Sequence, residues 1–186
     1  MLKHGILGLI NYHEATGYEV MEMFRDSLNY FWSAHTSQIY RELQTLEKNK
    51  WVVGETIEQT GKPDKKIYHI TEAGKEELKE WLRDMSLKPA NSALLCKTFF
   101  LGELPPEETL LFFENFKICC EQSIETLGRV PEVITNYENM LDAREKGLYW
   151  RFTVDYGLRN AKANKEWCEY CIDEIKALIK ERQLTD

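Results

Sequence analysis

One β-hairpin set among helical patterns is the feature that most narrows what this chain can fold into. Trp51-Val52-Val53-Gly54-Glu55-Thr56-Ile57-Glu58 reads as a strand, and Lys65-Lys66-Ile67-Tyr68-His69-Ile70 reads as the returning strand. Between them Gln59-Thr60-Gly61-Lys62-Pro63-Asp64 is a cluster of turn formers. Lys62, Lys65 and Lys66 put three positive charges at or beside the tip.

The segments around the hairpin are helical. Leu2, Ile6, Leu9 and Ile10 share one face of a first helix that runs to about Tyr12. Thr16-Gly17-Tyr18-Glu19 has the spacing of a capping box, in which the threonine hydroxyl and the glutamate each satisfy a backbone N–H of the other. It opens a second helix to about Leu28. Thr36 and Ser37 are competent N-caps for a third helix. There Ile39, Leu43 and Leu46 form the apolar face, and the opposite face carries Ser37, Arg41, Gln44, Thr45 and Lys48, with Gln38 and Tyr40 on the flanks. Thr71 caps a fourth helix whose expected buried stripe is Leu78, Trp81, Leu82 and Met85. Three helices, a basic-tipped hairpin and a trailing helix are the parts of a winged helix-turn-helix. The expected fold is mainly α with a small β-hairpin wing (α+β).

Charge limits how such a domain could hold nucleic acid. The chain has a net charge of −7, and residues 1–86 hold 11 Lys and Arg against 14 Asp and Glu, a net of −3. A global positive field is excluded, so any DNA affinity must come from a few well-placed cations. A helix whose outer face begins with Ser, Gln, Tyr and Arg can meet phosphates with its N-terminal amides and bases with its side chains. The candidate DNA-contacting residues are Thr36, Ser37, Gln38, Tyr40, Arg41 and Gln44 on the third helix, and Lys62, Lys65 and Lys66 on the wing.

The pattern breaks at Ser86-Leu87-Lys88-Pro89-Ala90-Asn91-Ser92, which places a domain boundary after residue 86. Residues 87–186 are expected to form a helical dimerisation or effector domain. A short helix covers Leu94 to Leu101. Another starts at Pro105-Pro106-Glu107-Glu108, with proline in its first turn and acids near its positive end, and carries Leu110, Leu111, Phe113 and Phe116. Pro131 should kink it or begin a new helix. A last helical stretch runs from about Arg144 to Arg182, and Gly157 within it marks close packing. Long helices with two apolar faces in a small domain bury one of them against a partner, so a homodimer is expected.

The first half resembles the PadR family of transcription regulators, nearest its virulence-activator (AphA-like) branch. The resemblance is carried by Ala15-Thr16-Gly17-Tyr18-Glu19, Tyr30-Phe31-Trp32, Gln38-Ile39-Tyr40-Arg41-Glu42-Leu43, the wing segment Gly61-Lys62-Pro63-Asp64-Lys65-Lys66, and Tyr68-His69-Ile70-Thr71-Glu72-Ala73-Gly74. Together these span most of residues 5–82. The second half is similar to the family's helical C-terminal domain around Lys97-Thr98-Phe99-Phe100 and from Phe152 to Trp167. The resemblance implies a homodimer joined by C-terminal helices, with the third helix and wing of each subunit on double-stranded, pseudo-palindromic operator DNA.

Other chemistries find little support in the residues. Cys168-Glu169-Tyr170-Cys171 has redox or metal spacing, but it lies in a helical pattern with no second pair at zinc-ribbon distance. A thiol-based redox sensor using that pair is one rival reading. A winged helix used only as a protein-interaction module is the other, favoured by the acidic balance. Cys96, Cys119 and Cys120 read as small core residues. The histidines His4, His13, His35 and His69 show no metal-ligand spacing, and there is no phosphate loop or nucleophile elbow, so no metal, no cofactor and no enzymatic activity are expected. Phe112, Phe113, Phe116, Tyr149, Trp150, Phe152, Tyr156 and Trp167 read mainly as core, with a small aromatic effector between the domains as a further candidate. No stretch approaches the ~20 apolar residues of a membrane span. With no signal-peptide pattern and an odd number of cysteines, the chain is expected in the cytoplasm with no membrane contact.

Overall fold

The wing hairpin is the centre of a small sheet in the first of two compact units, Met1–Lys88 and Pro89–Asp186. The computed structural model describes residues 1–58, 64–84, 92–141 and 144–185. The boundary expected after residue 86, together with Met85 and Lys62, lies outside the described residues.

The first unit runs α1 (Leu2–Tyr12), β1 (Ala15–Thr16), α2 (Gly17–Asp26), a 3-10 turn (Leu28–Tyr30), α3 (Thr36–Lys48), β2 (Val52–Ile57), β3 (Lys65–Ile70) and α4 (Glu72–Arg83). The sheet order is β1-β3-β2, all antiparallel, with Ala15 opposite Tyr68 and Val52 opposite Ile70. Strand β1 is absent from the sequence reading because two residues carry no alternation. It matters nonetheless: a lone two-stranded hairpin is marginal in water, and a third strand ties this one to the helices. Thr16 ends β1 and caps α2 at once. Its Oγ1 accepts the Glu19 N–H at 3.2 Å, and the Glu19 carboxylate accepts the Thr16 N–H at 2.7 Å. The expected capping box is therefore present.

Two local details differ from expectation. Helix α3 begins at Thr36, but its N-cap is His35, not Thr36 or Ser37. The His35 N–H is satisfied from within the helix, donating to Gln38 Oε1 at 2.8 Å. At the other end the Trp51 N–H donates to Leu46 O and the Lys50 N–H to Glu47 O, the pairing of a Schellman cap, with Lys50 at φ 60° where glycine is usual.

The core gathers Ile6, Leu7 and Ile10 of α1, Val20 and Phe24 of α2, Ile39, Leu43 and Leu46 of α3, Val52, Tyr68 and Leu78. The α4 stripe is narrower than expected. Leu78 is buried and Trp81 half-buried, but Leu82 is 66% exposed. The cause is the placement of α1: His4 stacks on Trp81 at 4.7 Å, so α1 covers the Trp81 side of the stripe and leaves Leu82 uncovered.

The second unit consists of α5 (Ala93–Phe100), a 3-10 turn (Leu101–Glu103) and two long helices, α6 (Pro106–Leu141) and α7 (Arg144–Thr185). Helix α6 continues through Pro131 without starting a new helix. The close packing expected at Gly157 is present, since a β-carbon there would come within 2.9 Å of Leu127 Cδ1. Glu138, only 7% exposed, forms a two-pronged ion pair with Arg151 across the hairpin. Among the described residues the buried apolar clusters are small: Phe113, Cys168 and Ile172 in one, Val130, Ile134 and Val154 in the other.

Several residues read as core lie at the surface of this chain. Cys96, Cys119, Tyr149, Phe152 and Tyr156 are exposed, as is the apolar Leu111 of α6, and α5 has no buried residue. Their apolar character is not met within one chain. Cys120, Phe113 and, in part, Phe112, Phe116, Trp150 and Trp167 do pack as expected.

Candidate nucleic-acid interface

Helix α3 presents its outer face because its inner face is fully used. Ile39, Leu43 and Leu46 are each no more than 2% exposed, and helical geometry then turns Ser37, Arg41, Gln44 and Lys48 outward. Thr36, Ser37, Tyr40, Arg41 and Gln44 are all exposed, and Gln38 is half-buried. Arg41 is exposed and its guanidinium has no ion-pair or hydrogen-bond partner among the described residues, so it can offer donors to an incoming group. Thr36 donates its hydroxyl to Met21 Sδ at 3.3 Å, which joins the start of α3 to α2.

Tyr40 is exposed and also packed. A β-carbon on Gly17 would come within 2.6 Å of Tyr40 Cε1. The first residue of α2 must therefore lack a side chain for the ring to lie where it does. The tyrosine keeps its hydroxyl at the surface while one ring edge rests on the backbone of the neighbouring helix.

The two described wing lysines are both paired. Lys65 Nζ lies 3.4 Å from Glu19 Oε1, and Lys66 Nζ lies 2.8 Å from Glu47 Oε2. The Lys66 ammonium also stands 5.3 Å from the centre of the Tyr68 ring. Its stem crosses β2 at Gly54, where a β-carbon would strike it. The bond to Glu47 raises the Lys66 pKa above the ordinary lysine value. Glu19 titrates below its ordinary value, chiefly because the Thr16 backbone N–H and hydroxyl bind its carboxylate. Both lysines remain partly open to solvent, and such pairs are worth roughly 0–1 kcal/mol. A phosphate can replace either carboxylate at little cost.

Glu19 and Glu47 are the residues that sequence reasoning missed. Glu19 was legible only as a cap, and no spacing rule links Glu47 to Lys66, because the pair closes over Gly54 of β2, between helix α3 and the returning strand β3.

The thiols give the redox reading no support. Cys168 is fully buried, and burial, with Cys120 and Cys171 nearby, pushes its pKa up to about 11. Burial also raises Cys171 and Cys120. Reactive cysteines need the opposite shift. Among the described residues no group of three or more His, Cys, Asp or Glu could hold a metal ion, and no helix is long and apolar enough to cross a membrane.

Similarity to known proteins agrees with this geometry. Residues 6–80 match the transcriptional regulator PadR-like family, and residues 91–176 match the virulence activator alpha C-terminal family. The negative transcriptional regulator PadR of Bacillus subtilis is 31% identical over 147 residues, 78% of each chain. A probable transcriptional regulator of Mycobacterium tuberculosis, Rv1176c, is 42% identical over 83 residues, which is 45% of this chain and 44% of that one, so the match spans less than half the length of that relative. The crystal structure of Bacillus subtilis PadR in complex with operator DNA superposes with a TM-score of 0.76 at 28% identity, covering 94% of this chain and 98% of that one. The same protein in complex with p-coumaric acid gives 0.72 at 27% identity, with the same coverage. These relatives are transcription regulators and not enzymes. The chain belongs to the PadR family of transcriptional regulators, with a winged-helix first half and a helical second half.

Proposed function

We propose that this protein is a cytoplasmic, homodimeric regulator that binds a specific pseudo-palindromic DNA site. The observation that carries the reading is the outward α3 face bearing Ser37, Arg41 and Gln44, in the same unit as the lysines of β3. In this reading residues 1–86 bind DNA and residues 87–186 dimerise. Each α3 enters a major groove, with Thr36, Ser37, Gln38, Tyr40, Arg41 and Gln44 toward bases or phosphates. Lys62, Lys65 and Lys66 meet the flanking backbone. An acidic domain with so few cations holds DNA weakly alone, so two must be joined. The exposed Tyr149, Phe152 and Tyr156, spaced as one face of α7, supply apolar surface for that pairing.

A small aromatic effector is part of the proposal, by analogy with the p-coumaric acid complex of the Bacillus subtilis relative. The test of DNA binding is a mobility-shift titration on the DNA the protein selects from a random pool. Arg41→Ala should weaken the selected site by about 1–3 kcal/mol, whereas Lys65→Ala should weaken all sequences alike. The dependence on salt should be modest, given few cations per subunit. Selection of no motif would favour a protein-interaction module instead, the reading that the net negative charge supports.

A further inference from the structure

Gln38 is the third residue of α3, half-buried on the flank of its outer face and one turn before Arg41. Its Oε1 accepts the His35 backbone N–H at 2.8 Å. This bond orients the amide: only the oxygen can face an N–H, so the Nε2 group points the other way. Among the described residues Nε2 has no hydrogen-bond partner. The His35 N–H, in turn, lies at a helix start, where backbone donors lack helical acceptors and need side-chain ones.

A glutamine in a major groove is usually suited to adenine, accepting from N6 with its oxygen and donating to N7 with its nitrogen. Here one of the oxygen's two lone pairs is taken by the cap, which holds the oxygen against the His35 backbone and leaves Nε2 as the group with no partner among the described residues. We infer that Gln38 meets DNA as a lone donor: Nε2–H binds a single hydrogen-bond acceptor, on a base edge or a phosphate, and does not pair bidentately with adenine. The inference rests on the DNA-binding reading above. In the groove the acceptors are purine N7, guanine O6 and thymine O4. Arg41, one turn on, also offers only donors. The start of α3 thus asks for acceptor-bearing edges, and guanine alone presents two on one base.

The test uses full-length protein and the duplex it enriches from a random library. On that duplex, single atoms are removed by base analogues: 7-deazapurines for N7, 2-aminopurine for guanine O6, 5-methylpyrimidin-2-one for thymine O4, and a purine lacking the amine for adenine N6. Single phosphates are neutralised as methylphosphonates. The ratio of modified to unmodified affinity is then measured for wild type, Gln38→Glu and Gln38→Ala. Gln38→Glu keeps an oxygen for the His35 N–H but has no donor; its added charge cancels in the ratio for the uncharged base analogues, and for the methylphosphonates the neutral Gln38→Ala is the reference. Its melting temperature should match wild type, while that of Gln38→Ala should fall. At one position per half-site, loss of one acceptor should cost wild type about tenfold and both variants almost nothing. Relief at a base atom identifies a base edge as the acceptor, and relief at a methylphosphonate identifies a phosphate. Two results would overturn the inference. One is relief of both N6 and N7 losses at a single adenine, which means bidentate pairing; the other is relief nowhere, which leaves Gln38 as a cap only. If wild type enriches no motif, the DNA-binding reading fails first and this inference with it.

Discussion

The two units bury apolar side chains in different ways. In Met1–Lys88 one cluster draws on α1, α2, α3, the sheet and α4, and its members come from every part of the unit. In Pro89–Asp186 two separate clusters of three buried residues lie along a pair of long helices, while Phe99 is 82% and Tyr156 73% exposed. The first unit closes its core within one chain. The second leaves Phe99, Phe100, Tyr149, Phe152 and Tyr156 at its surface, which suits the homodimer proposed above. The first unit is self-contained; the second leaves apolar surface uncovered within one chain, which the proposed homodimer would cover.

The largest expected effect tests the first half of that contrast. Leu43, fully buried under α3, should cost about 2–5 kcal/mol when truncated to alanine. Denaturant unfolding of the full chain should show this loss in the N-terminal transition and leave the helical unit unchanged. Loss of both together would mean that the units are not independent.

Paired substitutions Phe152→Glu and Tyr156→Glu probe the other half. On an ordinary monomer surface they should change stability by no more than about 0.5 kcal/mol. Against a partner they should weaken association by roughly 2–4 kcal/mol, visible by sedimentation as a shift from dimer to monomer. An unchanged dimer would show that this α7 face is not the interface.

A pH titration separates the units by a different property. Burial holds the His4 pKa below its ordinary value of 6.5, although Glu77 opposes the shift by accepting from the ring at 3.0 Å. Lys3 and the chain amino group add positive charge on the same side. His4 Nδ1 is buried with no hydrogen-bond partner among the described residues, so a second ring proton would find no acceptor among them. The unfolded chain takes up that proton as pH falls through 6.5 while the folded chain resists it, so the N-terminal unit should lose stability as pH drops through that point and below. Glu77, whose pKa is lowered mainly by His4, contributes stability above its ordinary 4.5 that is lost only at lower pH. Melting curves at pH 7.5 and 5.5 should therefore differ for wild type and much less for His4→Gln.

The smallest effect concerns the wing. Glu47→Gln should free Lys66 for phosphate and tighten DNA binding by roughly twofold to fivefold, the scale of an exposed ion pair. Titration of a labelled duplex with both proteins would show it, and weaker binding by the variant would mean that Glu47 positions Lys66 instead of masking it.

Much of the first unit was legible because its determinants are local. The Thr16–Glu19 capping box, the apolar spacing of Ile39, Leu43 and Leu46, and the turn cluster after Glu58 each act within a few residues. The α3 face followed from the same spacing, since burying one side of a helix turns the other outward. Leu82, Cys96, Cys119 and Tyr156 were misread for a shared reason: hydrophobicity says that a residue should be covered but not by what.

The sequence by itself determined the helices and the hairpin of the first unit in their order, β1 apart, the inner and outer faces of α3, and membership of a family. Periodicity, caps and turn formers act over short stretches of chain, and a family signature is a pattern of residues. Tertiary structure decided the rest. It brought Glu47 to Lys66 and Glu19 to Lys65, rested Tyr40 on Gly17, placed α1 over Trp81 and not Leu82, and left the α7 aromatics uncovered. These contacts depend on how helices and strands cross, and no local rule carries that information.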